Sequence, residues 1–306
     1  MTLQDVETAR LVYYSKIKKE IITAAIIILV MLLLFVLIGN IIPETFIGIF
    51  SMFFFITAFS IVIATITNNK AYIAYRHAYK GYFVEQNLRA IFTDLEYSHL
   101  AGLPSTTLSN TGMINTGDRY RSNDFTKGKY KNVAFSQADV HIETEHTDSD
   151  GDKTYTTIFM GRFMIFEFPK QFTFRLGLIG KRFVAYYRPS TNKANGRKME
   201  KISTESEEFN KAFRIFGEDG FEAFYLLDPA FMVKPLNIAE RYKNRVAFCF
   251  YDNQLVIGIN DGKDSFEPPR ASKPIDEAAE NAKVASDIKI ITDLIDQLSL
   301  SRKLFK

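Results

Sequence analysis

Between Ile21 and Ile66 the chain carries a single charged residue, Glu44. A stretch this apolar has to be kept from water, and that dictates what can be built around it. It divides in two. Ile21–Ile42 and Phe46–Ile66 are uncharged runs of 22 and 21 residues, separated by Pro43, Glu44 and Thr45. As a helix the first run spans about 33 Å, against a bilayer core of about 30 Å. So short a polar turn permits only antiparallel helices, and Pro43 suits a helix stop. The block is therefore expected to be a transmembrane helical hairpin over 21–66, with spans at 21–42 and 46–66. A signal peptide would need a shorter apolar core and a small-residue cleavage site before the second run, and neither is present.

Basic residues set the expected orientation. Arg10, Lys16, Lys18 and Lys19 precede the hairpin, the turn has none, and Lys70, Arg76, Lys80 and Arg89 follow. Both termini are then cytoplasmic, with only the turn at Glu44 outside. The organisation expected is a cytoplasmic segment 1–20, the hairpin, a connecting amphipathic helix within 67–104, a β-rich cytoplasmic domain over 105–270 and a C-terminal amphipathic helix within 271–306.

Whole-chain composition, 47% hydrophobic and 24% charged, hides this division. The formal charge is +3 for 306 residues, too weak a balance for nucleic acid to be a partner. One cysteine, Cys249, excludes an internal disulfide and a zinc site built on cysteine, and fits a reduced compartment.

Past the hairpin the apolar period is first helical. Tyr72, Tyr75, Tyr79, Tyr82, Phe83, Leu88, Ile91, Phe92 and Leu95 predict a helix over 68–100, ended by Gly102 and Pro104. Its cations Arg76, Lys80 and Arg89 are candidate contacts for anionic lipid, and the plainer reading is a connecting helix packed by its aromatic stripe. Ser105–Lys127 is polar and turn-rich. The period then becomes two: Val133–His146 and Thr154–Phe168 predict a β-hairpin closed at Asp148–Asp152. Phe172–Leu178, Phe183–Tyr187, Phe209–Phe216, Ala223–Leu227, Ala247–Tyr251 and Leu255–Ile259 are further strand candidates. Asp228-Pro229 reads as an N-cap and first helical residue, and Ile275–Leu300 as an amphipathic helix that packs back or self-associates. Strands gathered in the middle with helices at both ends argue an α+β fold.

The search for chemistry is largely negative. Gly177–Lys181 (GLIGK) lacks the spacing and the following Ser or Thr of a phosphate-binding loop. There is no G-x-G-x-x-G and no G-x-S-x-G. Cys249 lies in a strand-like run with no neighbouring histidine, the setting of an inert buried thiol. The sharpest pattern is acidic. His141, Glu143 and Glu145 share one face of a strand, His146 follows, and Asp148, Asp150 and Asp152 occupy the turn. These are candidate metal ligands. The run recalling a calcium loop lacks its closing glutamate, since Phe159 stands at the twelfth position. The competing reading is a solvent-facing strand and a hydrophilic turn. Glu205, Glu207 and Glu208, and the cations from Arg188 to Lys201, read as solvated surface.

Several stretches together resemble a bacterial family, domain of unknown function 3137. They are Lys127–Lys131 (KGKYK), Phe135–Val140 (FSQADV), Phe159–Phe163 (FMGRF) with Phe168–Lys170 (FPK), Glu205–Phe216 (ESEEFNKAFRIF) and Ala223–Met232 (AFYLLDPAFM). Asp94–Tyr97 and the terminal helix are also similar, so the resemblance covers about 70–305. It implies a hairpin in the bacterial inner membrane, a multi-pass topology and no established activity, and it supplies no catalytic residue. The expected role is a non-enzymatic, membrane-tethered binding or scaffold module with the lipid bilayer as partner, no cofactor, and a protein partner or second copy at the C-terminal helix. A membrane-anchored metal-dependent hydrolase at the acidic hairpin and an anionic-lipid sensor are the alternatives.

Overall fold

The computed structural model describes residues 1–38, 70–169, 171–187, 199–218 and 226–300, together with 48, 54, 55, 58, 59, 223 and 224. The chain divides into two compact units, Met1–Val84 with Glu267–Asn281, and Glu85–Phe266 with Ala282–Lys306.

The first unit is helical. Helix α1 runs from Leu3 to Ile38 and α2 from Lys70 to Tyr79, continued by a π-helical turn, Lys80–Val84. Among the described residues no helix is long and apolar enough to cross a membrane. The side chains of α1 at 31, 32 and 34–38, and nearly all of the second apolar run, lie outside the described residues. The aromatic stripe of α2 is used inside the unit. Tyr72 and Tyr75 pack on Tyr13 of α1 with ring centroids 5.2 and 6.2 Å away. The Tyr75 hydroxyl donates to the Pro269 carbonyl at 3.1 Å, and that of Tyr79 to Glu280 at 2.6 Å.

The second unit opens with helix α3 (Glu85–Ile91) and strand β1 (Thr93–Ser98). The helix expected to reach residue 100 therefore stops early. It ends at Ile91, Asp94 at a φ of 52° cannot continue it, and Leu95, which also fits the helical stripe, serves a strand. Helix α4 (Ser105–Ser109) and β2 (Arg119–Tyr130) occupy the stretch read as polar turns. Then come β3 (Val133–Thr147), β4 (Lys153–Glu167), β5 (Leu176–Gly180) and β6 (Glu200–Ile202). Helix α5 (Glu207–Ala212) precedes β7 (Phe213–Gly217), where a single strand was expected. The Ser206 hydroxyl accepts from the Phe209 amide at 3.2 Å, and Glu207 and Glu208 favour the positive helix end.

Helix α6 (Pro229–Arg241), β8 (Val246–Tyr251), β9 (Gln254–Ile259) and α7 (Glu277–Gln297) complete the order. Asp228 caps α6 as expected, and the helix continues through Pro235. Two strand candidates are absent as such: Phe183–Tyr187 makes only an isolated bridge, Ile114 to Tyr186, and residues 223, 224 and 226 are helical.

The strands form one sheet in the order β1-β2-β3-β4-β9-β8-β5-β7-β6, antiparallel throughout. This is an α+β fold. Alternation gives the sheet two buried faces. On one, Ala138, Val140, Ile142, Phe163, Ile165, Ala247, Cys249 and Val256 pack with Leu103, Leu108, Met113 and Phe183. On the other lie Met164, Phe166, Phe248, Phe250 and Ile257, all buried. There Phe231 of α6 meets Phe250 at 6.0 Å between centroids. The apolar face of α7, Val284, Ile288, Ile291, Leu294 and Ile295, is likewise buried in the chain.

Candidate functional site

The acidic hairpin is formed as expected, with Thr147 paired to Lys153 across the turn. Its polar groups have local uses. The Asp148 carboxylate accepts from the amides of Asp150 and Asp152 at 3.0 and 2.9 Å, a turn stabilised from within. Glu145 takes the Tyr155 hydroxyl at 2.6 Å and the Lys153 ammonium at 2.7 Å, and the Lys153 hydrogen bond holds its carboxyl below the usual range. Glu143 pairs with Arg121 at 3.0 Å, and His141 Nε2 lies 2.9 Å from the Thr157 hydroxyl. Of the basic candidates, Lys80 is fully buried against Glu267 at 2.8 Å, Arg76 donates to the same carboxylate at 2.8 Å, and Arg89 pairs with Glu85 at 2.7 Å.

The structure gathers a different set on the sheet face that carries Met164 and Phe166. Asp124 from β2, Asp139 from β3 and Asp264, which follows β9, bring one carboxylate oxygen each to within 4.8 Å of one another. Among the described residues they are the group of three or more acidic, histidine or cysteine side chains placed closely enough to share a metal ion.

Local structure explains each position. β2 bulges between Asn123 and Thr126, and Asp124 takes a φ of 57°. Its amide and that of Phe125 turn away from β3 to the carbonyls of His99 and Ala101. The bulge re-aims the Asp124 side chain inward, where it is wholly shielded from solvent. Asp139 lies in a regular stretch of β3, opposite Asn123 on one side and Arg162 on the other. Asp264 is exposed.

The partners form a second layer. Asp124 accepts from the Tyr97 hydroxyl at 2.8 Å and the Asn123 amide at 2.7 Å, and that amide also reaches Asp264 at 3.3 Å. Asp139 accepts from the Ser265 backbone amide at 2.6 Å. Arg162 donates to the Ser265 hydroxyl and the Asp287 carbonyl, both at 2.6 Å. Its Nε stands 3.6 Å from Asp139 Oδ1, an ion pair too long to be a hydrogen bond. Gln137, one pleat from Asp139 on the same face, donates to the Thr126 hydroxyl at 3.4 Å.

Two acceptors remain buried without a hydrogen bond, Asp139 Oδ1 and Gln137 Oε1. Burial pushes the Asp139 carboxyl well above the usual carboxylate range. Arg162 and the Ser265 amide oppose this, while Asp124 and Asp264 add to it. Sequence reading missed the cluster because its members are far apart in the chain. The one local signal was an aspartate among Phe135, Ala138, Val140 and Ile142, where a buried strand should be apolar.

Among curated proteins none matches the chain. Among solved structures it is similar to the crystal structure of the mycobacterial trehalose monomycolate transport factor A, TtfA. The identity is 7%, the TM-score 0.36, and the match covers 72% of this chain and 94% of that one. A likeness this weak carries no argument about fold or role. The family model described as "Protein of unknown function (DUF3137)" matches residues 157–300, from β4 through α7, in agreement with the resemblance read from the sequence.

Proposed function

We propose that the chain is an integral protein of the bacterial inner membrane, anchored by a helical hairpin at 21–42 and 46–66. Its α+β domain would serve as a cytoplasmic, non-enzymatic binding or scaffold module. One observation carries the anchoring. Ile26, Ile27, Ile28, Leu29 and Val30 are all exposed. Consecutive helical residues step round the axis by about 100°, so these five circle the whole helix. A helix that is apolar and uncovered on every side is at home in hydrocarbon, not water. Exposed Lys18 and Lys19 lie just before this girdle, where headgroup phosphates would meet them.

The binding role rests on the absence of any complete catalytic signature in the sequence, together with a broad sheet buried on both faces. No observation favours hydrolysis at the acidic hairpin, where the carboxylates of Glu143, Glu145 and Asp148 are engaged by neighbours.

Alkaline extraction of membranes tests the anchor: the chain should remain with the lipid. Release into the soluble fraction would overturn the reading. A periplasm-dependent enzyme fused after Lys306 should be inactive, and activity would reverse the proposed orientation.

A further inference from the structure

Towards the β6 end of the sheet, cations gather that no carboxylate answers. β5 ends at Gly180, and the chain turns through exposed Lys181 and Arg182. Both amides are pinned, Lys181 to the Ala212 carbonyl and Arg182 to the Asn244 carbonyl, each at 3.0 Å. Phe183 and Ala185 then enter the core, so Arg182 and Val184, which alternate with them, are left outside. Val184 is 60% exposed. Arg214 stands opposite Ile179, and Lys201 stands opposite Phe216, two residues on from Arg214. Directly opposed residues share a sheet face, so Arg214 and Lys201 lie on one side, and Glu200 lies on the other. The Arg214 guanidinium sits 5.3 Å from the Tyr186 ring centre and donates to the Gly180 carbonyl at 3.3 Å. Burial first, and then Arg214 and Lys201, hold the Lys181 ammonium below its usual range. Among the described residues none of Lys181, Arg182, Lys201 and Arg214 is ion-paired with a carboxylate. Like charges held together this way repel one another until an anion arrives.

We propose that Lys181, Arg182, Lys201 and Arg214, with Val184 among them, dock the domain on an anionic bilayer surface. Charge selects a negative partner. Val184 selects its kind. An exposed aliphatic side chain beside cations suits headgroups with hydrocarbon beneath them, which a free phosphate does not offer. The cations also come from the turn after β5, from β6 and from β7, so they form an area that meets several headgroups at once. The proposal rests on the anchored reading given above, since a hairpin in the bilayer keeps the domain within reach of its surface. Tethering raises the effective concentration of that surface, so a contact too weak to hold a free domain becomes sufficient.

Val184→Cys carrying an environment-sensitive dye tests this on the full chain in vesicles, because Cys249 is buried and stays unlabelled. Vesicles of phosphatidylcholine alone are compared with vesicles that also contain phosphatidylglycerol. The expected result is a blue shift of emission with phosphatidylglycerol only, reversed by high salt. Lys181→Glu with Lys201→Glu, both exposed positions, should lose most of the shift. Lys153→Glu, in the β3–β4 hairpin, should keep it. No shift in the anionic vesicles, an equal shift in phosphatidylcholine, or a shift unchanged by the double reversal would each overturn the proposal. So would the same shift produced in phosphatidylcholine vesicles by inorganic phosphate or by polyglutamate, which would assign the patch to a small anion or an acidic protein. Flotation with phosphatidylcholine vesicles reports the hairpin separately. A chain that floats only with anionic vesicles, and shifts there, would refute the anchor and uphold the patch, whereas flotation with neither would overturn both.

Discussion

The ammonium of Lys80, wholly shielded from solvent, lies 2.8 Å from Oε1 of Glu267. The two are 187 positions apart in the chain. Glu267 also receives Arg76 and the Tyr72 hydroxyl, so one carboxylate gathers three donors from α2 and the π turn. Removing it takes away the carboxylate that faces a buried cation. Glu267→Gln is expected to weaken this unit by about 3 kcal/mol, seen as faster hydrogen exchange across Tyr72–Lys80. Lys80→Met, which removes the buried charge itself, should cost less. Equal effects would show that packing, not the ion pair, holds the segment.

The same carboxylate should make the unit sensitive to acid. Burial pushes the Glu267 pKa up, but Lys80 and Arg76 outweigh it, and the net shift is downward. The fold therefore holds this proton less tightly than the unfolded chain does. Its contribution is complete above the ordinary glutamate range and is lost as the pH falls through the lower, folded value. Unfolding followed from neutral to acidic pH should show the parent and Glu267→Gln converging in acid. Curves that stay parallel would count against the pairing.

Gly161, inside the FMGRF stretch, should tolerate no side chain. Its φ is +155°, and a Cβ there would collide with the Ile259 carbonyl oxygen of β9 and crowd Asp261. Backbone cannot yield as a flexible side chain can. Gly161→Ala is expected to cost about 2 kcal/mol or more in denaturant unfolding. A neutral substitution would mean that β4 and β9 are less closely registered than described.

Cys249 should be chemically silent in the folded chain. It is fully buried, and burial pushes its thiol up to about 12. Alkylation at about pH 8 should fail on the native protein and label one thiol per chain after denaturation. Ready labelling of the native form would show that this sheet face opens.

What could be read from the sequence follows the range over which each signal acts. The β3–β4 hairpin was legible because its alternation and its Asp-Gly turn are local. The cap at Asp228 was legible for the same reason, and its side chain accepts the Phe231 amide at 2.7 Å. Thr93–Ser98 was misread because Leu95 fits the helical stripe as well as a strand, and pairing with β2 decided between them. β2 itself is polar along much of its length, so period two was invisible. The aspartate cluster needed the sheet order before its members could be seen together.

That order also constrains how the molecule can be made. β4 finds one partner, β3, immediately before it, and the other, β9, only after β5–β8 have been synthesised. Until Gln254–Ile259 leave the ribosome, the stretch of β4 that carries Phe163, Met164, Ile165 and Phe166 offers an unpaired edge to any neighbour. A message truncated just before that point would yield no smaller working version of the domain. It would yield a chain seeking a substitute strand from another molecule.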